Sequence, residues 1–229
     1  MDLNRIVFIG RTFEEYMKMF ALDRSEILGK RILDCPSGAC SFTAAANRLG
    51  ADVTGSDLVY YHKPSDLKRK GLADIQHVEE SLEKHRGGFV WEYFKSIDEL
   101  QDARLSALHQ CTEDMVQNPG RYVPAVLPNL PFADGEFDVV LSAHFLFMYG
   151  DRLDLDFHLS TLKEFLRVSR EEIRVFPLVD LSGNRYEYLE DVKRELLNCG
   201  CTVEEVSVPY EFQRNANSML KILKKRQIS

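Results

Sequence analysis

Residues 127–147 read LPNLPFADGEFDVVLSAHFLF. Inside this stretch, 137–143 (FDVVLSA) is short and apolar, the pattern of a strand buried on both faces, and it is the clearest strand in the chain. Asp134-Gly135 marks the turn that leads into it. Working outward, the same rhythm continues on both sides. Downstream, 151–168 carries helical periodicity, 172–179 reads as a strand, 186–198 as a helix ending at Gly200, and 202–210 and 218–225 as two further strands. Upstream, Phe13, Tyr16, Met17 and Phe20 recur at helical spacing after the capping Thr12, predicting an amphipathic helix over 12–28 that stops at Gly29. A short strand at 31–34, an alanine-rich helix at 41–49 closed by Gly50, and a second strand at 52–57 follow. An irregular strand is expected at 122–127, because Pro124 lacks an N–H for pairing. Strands alternating with helices imply a mostly parallel sheet covered on both faces. The last two strands lack a helix between them and so predict a terminal antiparallel hairpin.

One stretch breaks the rhythm. Residues 58–121 hold two charge-rich helical patterns, about 65–86 and 96–117, separated by Gly87-Gly88 and by Phe89, Trp91, Tyr93 and Phe94. This exceeds the connection a strand-helix-strand unit needs, so it reads as a helical insertion within a single domain spanning 1–229. The aromatic group has two readings, an apolar lid on a glycine hinge or a satellite core beneath the two helices.

Composition bounds the function. The 229 residues are 45% hydrophobic and 28% charged, with a formal charge of −7, a balance that disfavours nucleic acid or an anionic membrane as the main partner. The basic clusters at 68–70 and 224–226 read as solvated faces. No apolar run approaches the roughly 20 residues that span a bilayer. The first residues, MDLNRIVFIGRTFEEY, lack an export-signal pattern, so a cytoplasmic chain with reduced thiols is expected. The five cysteines match no zinc-binding spacing, and no metal is expected.

In open parallel sheets, ligands bind beyond the carboxyl ends of the strands. The first strand runs into Asp34-Cys-Pro-Ser-Gly-Ala-Cys40 before a helix, a small-residue loop whose N–H groups are placed to face an anion. The second strand ends at Asp57, about 20 residues on, where a carboxylate can accept hydrogen bonds from ribose hydroxyls. Leu58 is placed to cover a purine face. The plainer alternative, a turn glycine at Gly38 and a water-facing carboxylate at Asp57, stands beside this one.

Taken together, ILDCPSGACSF, VTGSD and above all Leu130-Pro-Phe132, Asp134-Gly135 and Phe137-Asp-Val-Val140 resemble the class I S-adenosylmethionine-dependent methyltransferases that act on small molecules. The helix bearing Glu164 and Arg167-Val168 is also similar to theirs. The resemblance runs from Gly29 to the C-terminus, apart from 58–121. It implies a Rossmann-like, doubly wound α/β sheet of seven strands, the last antiparallel, with S-adenosylmethionine as cofactor and a small-molecule acceptor. By position, it implies that Asp34 orients the loop and contacts the donor's amino group directly or through water, and that Ser37, Gly38 and Ala39 line the methionine portion. It further implies that Asp57 holds the ribose, that Leu58 flanks the adenine, and that Ser142, Ala143 and His144 face the sulfonium and the acceptor. Arg11 and Tyr16 could close over the donor's carboxylate, as the leading helix does in similar proteins, with an amphipathic helix simply packed on the sheet as the commoner alternative. Pro36 and Cys40 stand where the family commonly has glycine, and Val126 or Leu127 where it often has a polar adenine contact. His144 is the candidate general base, by its strand-end position and the ordinary imidazole range, with simple packing at the strand end as the alternative. Two other functions compete. One is a non-catalytic relative binding a nucleoside or a protein partner. The other is a nicotinamide-dependent oxidoreductase, which the missing Gly-x-Gly-x-x-Gly argues against.

Overall fold

The computed structural model describes residues 7–225, except the side chains of 79–81 and 83. Residues 1–6, part of the segment read for an export signal, and Arg226 of the basic cluster lie outside the described residues. The strands are β1 (Arg31–Asp34), β2 (Asp52–Asp57), β3 (Tyr122–Pro124), β4 (Phe137–Ala143), β5 (Ser169–Phe176), β6 (Thr202–Ser207) and β7 (Ser218–Leu223). They form one sheet in the order β3-β2-β1-β4-β5-β7-β6. β1 to β5 pair in parallel, and β7 runs antiparallel to both β5 and β6, as expected from the missing crossover helix. The order reverses between β1 and β4, which opens a crevice at their carboxyl ends.

Both faces of the sheet are dry, and strand periodicity divides the core. Ile32, Val139 and Leu141 pack on one face with Tyr16, Phe20 and Phe42. Leu33 and Val140 point to the other, against Phe137, Leu162 and Phe165. The helices are α1 (Phe13–Met19), α2 (Arg24–Ile27), α3 (Phe42–Arg48), α4 (Pro64–Lys84), α5 (Ile97–Gln117), α6 (Leu155–Val168) and α7 (Leu189–Asn198). No helix among the described residues is long and apolar enough to cross a membrane.

The structure corrects several boundaries. The helix expected over 12–28 is two helices, each opened by its own capping box, Thr12 with Glu15 and Asp23 with Glu26, and parted by Ala21 at φ 45°. β3 holds three residues rather than six, because pairing stops where Pro124 offers no N–H. β5 starts at Ser169, three residues before the expected Glu172. Its polar first half lies at the sheet's end with Arg170 exposed, which hides it from an apolar pattern. α6 begins at Leu155 rather than 151, where Asp154 accepts a hydrogen bond from the Phe157 N–H. α7 likewise begins at Leu189, not 186, and β6 and β7 end earlier than expected, at Ser207 and Leu223.

The aromatic group in 58–121 belongs to the main core. Phe89, Trp91 and Phe94 surround Phe212 at centroid distances of 4.9, 5.4 and 5.3 Å, and Tyr93 meets Tyr210 at 4.9 Å. The connection between β6 and β7 therefore folds over the segment between α4 and α5, across the mouth of the crevice.

Candidate active site

A cavity of about 420 Å³ opens at the carboxyl ends of β1, β2 and β4, a size that accommodates a small-molecule ligand. Ser37, Gly38, Asp57, Leu58 and His144 all line it, so the structure brings together most of the predicted site residues. Gly38 takes φ 55°, the left-handed conformation that glycine adopts without strain. Leu58 is 56% exposed at the rim, and Val126 and Leu127 form part of the wall.

The loop is not the open anion cradle the sequence suggests. The Cys35 N–H donates to Leu141 O (2.9 Å), Ser37 to Ser56 O (3.0 Å), Cys40 to Ser37 O (3.2 Å) and Ser41 to Arg11 O (3.0 Å). The Gly38 N–H donates to Asp57 Oδ2 at 2.8 Å. Buried amides need partners, and a loop with proline at position 36 satisfies them within the protein. Tyr60 adds its hydroxyl to Gly38 O at 2.8 Å, pinning the loop from the first turn beyond β2.

Three predicted residues lie behind the wall. Asp34, Ala39 and Ser142 are each 0% exposed. Asp34 accepts hydrogen bonds from the hydroxyls of Tyr16 (3.0 Å) and Ser37 (2.7 Å), so it holds the loop from behind the cavity wall. That bond also takes Tyr16 out of the cavity, where the leading helix had been expected to place it. Burial pushes the Asp34 carboxyl up to about 7, against the opposing pull of those two hydroxyls. A raised carboxyl keeps its proton in the fold where the unfolded chain has lost it. Stability then falls as pH rises from the ordinary carboxylate range toward 7, and levels off above. Asp34→Asn should flatten that slope, measurable by urea unfolding at pH 5 and pH 8; an unchanged slope would place the titration elsewhere. Asp57 stays on the wall, its Oδ1 accepting from the Val59 N–H at 3.0 Å, and burial raises its carboxyl too.

His144 stands at the end of β4 with φ 52°, a left-handed backbone uncommon outside glycine and concentrated at functional sites. Its Nδ1 is buried with no hydrogen-bond partner. Burial first, then the charges of Arg11 and Arg104, hold the imidazole well below its ordinary range, so it is neutral at pH 7.

Beyond His144 lies a second chamber of about 170 Å³. It shares Val7, Ile9, Arg11, His144 and Tyr149 with the larger cavity, so these five residues stand between the two. Sequence reasoning missed Tyr149 and Arg104 here. Arg104 sits in a charge-rich helical pattern and pairs with Glu15, 89 positions away, through bonds of 2.6 and 3.0 Å. No local signal announces such a contact.

No family model matches the chain. Over 223 residues it is 35% identical to the uncharacterized protein MJ0045 of Methanocaldococcus jannaschii, covering 97% of this chain and 98% of that protein. The chain belongs to one family with that protein. Among solved structures, it is similar to a chain in the complex between the Haloferax volcanii Trm112 methyltransferase activator and the candidate methyltransferase it joins. The TM-score is 0.51 at 11% identity, over 94% of this chain and 92% of that one. A magnesium protoporphyrin IX methyltransferase from Synechocystis, with S-adenosylmethionine bound, aligns at TM-score 0.48 and 11% identity, over 93% and 78% of the two chains. The first of these likenesses, with the strand order above, identifies the fold as the Rossmann-like fold of class I methyltransferases.

Proposed function

We propose that this family member transfers a methyl group from S-adenosylmethionine to a small molecule. The observation that carries the reading is the pair of unequal cavities meeting at Arg11 and His144, just beyond β1 and β4. An in-line transfer needs donor and acceptor to approach one point from opposite sides with water excluded, and two adjacent chambers separated by shared residues suit that arrangement.

The larger cavity suits the donor. Asp57 accepts the ribose hydroxyls, Leu58 covers the adenine, and Ser37 and Gly38 border the methionine portion. Asp34, Ala39 and Ser142 support that wall from behind. When bound, S-adenosylmethionine supplies a methyl group already activated by the positive charge on sulfur. The protein's own task is alignment. His144, neutral and with Nδ1 open, accepts a hydrogen bond or a proton from the acceptor. Any proton it takes is loosely held, because burial makes its conjugate acid a stronger acid than an ordinary imidazolium.

Isothermal calorimetry with S-adenosylhomocysteine tests this. The expected result is micromolar binding, weakened at least about tenfold by Asp57→Ala in a protein of unchanged circular dichroism. Absence of binding by either S-adenosylmethionine or S-adenosylhomocysteine would overturn the reading. Val126, an apolar side chain 51% exposed where the resemblance implies a polar adenine contact, favours a second reading: a non-catalytic protein that binds a nucleoside or a protein partner. That reading expects nucleoside binding without methylated product from any small-molecule pool.

A further inference from the structure

The smaller chamber has a definite size, lining and charge. Ile75, Val78 and Leu82 of α4, Leu100 of α5, and Phe89 and Phe212 make most of its surface apolar. Its volume, about 170 Å³, is close to that of a cavity of roughly 150 Å³ that holds one benzene molecule. A single ring matches that size, and a fused pair would be more crowded.

Two guanidinium groups border this space, and their situations differ. Arg104 is neutralised by Glu15, whose carboxylate also accepts from the Tyr210 hydroxyl at 2.7 Å and the Thr12 N–H at 2.8 Å. Glu15 attracts Arg11 from a distance but makes no direct contact with it. Among the described residues, no carboxylate lies within ion-pair distance of Arg11. Its Nε is buried without a partner, and Nη1 reaches only Gly10 O at 3.4 Å. An arginine keeps its charge, and this one is partly buried with its Nε unpaired, so an anion beside it would be favoured. Burial, then Arg104, pull the Arg11 guanidinium down from its ordinary range, the direction expected of a cation lacking a counter-charge. The methyl donor would bring a further cation to the same junction.

We propose that this chamber holds the methyl acceptor, and that the acceptor is a single-ring organic acid. Its anionic group rests against Arg11 at the junction, and its ring fills the space among α4, α5 and Phe212. The assignment rests on the methyltransferase reading above and narrows it to one substrate class. Cationic amines are repelled by Arg11, and two-ring acids fit less well than single-ring ones.

The full chain, saturated with S-adenosylhomocysteine, is titrated with benzoate, benzylamine and 2-naphthoate as probes. Benzoate should bind, with the other two weaker by at least about tenfold. Val78→Trp, which fills the chamber, should abolish benzoate binding and leave S-adenosylhomocysteine affinity within about threefold; Val78→Phe is the gentler version should the first unfold. Arg11→Gln should weaken benzoate by about tenfold or more with little effect on S-adenosylhomocysteine. No benzoate binding at millimolar concentration, equal binding of benzylamine, or indifference to the Val78 variants would overturn the proposal. So would an Arg11→Gln loss equal for both ligands, which would put the donor's own carboxylate on Arg11. Repeating the benzoate titration without S-adenosylhomocysteine separates failure of the chamber assignment from failure of the donor reading.

Discussion

Glu15→Ala is expected to cost about 3–5 kcal/mol of folding stability, the range for removing one partner of a buried ion pair. Glu15 and Arg104 have side chains 0% and 7% exposed, so neither charge can turn to water when the other is lost. Four contacts converge on that carboxylate: two from Arg104, one from Tyr210 and one from the Thr12 N–H. They tie together α1, α5 and the connection between β6 and β7. Removing the carboxylate also leaves Arg104 facing Arg11 across the same chamber. Burial pushes the Glu15 carboxyl up, but Arg104 and its bonds more than offset this and hold it below the ordinary range. Its contribution is therefore complete above the ordinary carboxylate range and lost only as pH falls through the lowered value. Urea unfolding at pH 7 checks the size of the effect. The Glu15→Met, Arg104→Met double variant should be less destabilised than the sum of the two singles, because no lone charge remains. Additive costs would mean that the pair is not coupled.

Gly10→Ala should be nearly as damaging, and more specific for function. A Cβ on Gly10 would lie 1.9 Å from Ala39 O, 2.2 Å from Ala39 C and 2.7 Å from Cys40 N. All three are backbone atoms, so no side chain can swing away. The loop after β1 would have to move, together with the Arg11 N–H to Cys40 Sγ contact at 3.2 Å and the Ser41 N–H to Arg11 O bond at 3.0 Å. Overpacking of this kind costs about 3 kcal/mol, the upper end of the usual range, because the obstacle is main chain. The same displacement shifts Ser37 and Gly38, so S-adenosylhomocysteine affinity should fall by about tenfold or more. Thermal unfolding and calorimetry on one preparation measure both. Wild-type values in both would mean that the segment before α1 does not press on the loop.

The strands that flank the site were the easiest elements to read. Arg31–Asp34, Asp52–Asp57 and Phe137–Ala143 match the expected bounds because most of their residues are buried and apolar or small, with charged residues at or near their ends. Ser169–Phe176 escaped by three residues because its exposed first half carries Arg170 and Glu171, which look like a turn. Within the site, Asp57, Gly38, Leu58 and His144 were found from their places at strand ends. The loop's closed hydrogen bonding was not, since Ser56 O, Leu141 O and Arg11 O come from three separate segments.

Local pattern was enough to specify a mostly parallel sheet, its antiparallel finish, and the strand ends where a nucleoside-bearing ligand belongs, because burial and turn chemistry act over a few residues at a time. The fate of each polar group needed the assembled chain. Asp34 became a buried support, Arg104 found its counter-charge 89 positions away, and Arg11 was left without one. Charge pairing in a dry interior depends on distances across the fold, and sequence separation does not encode them. That is why the residues lining the larger cavity could be picked out from strand ends, whereas the size and charge of the smaller chamber emerged only when α4, α5 and the β6–β7 connection closed around it.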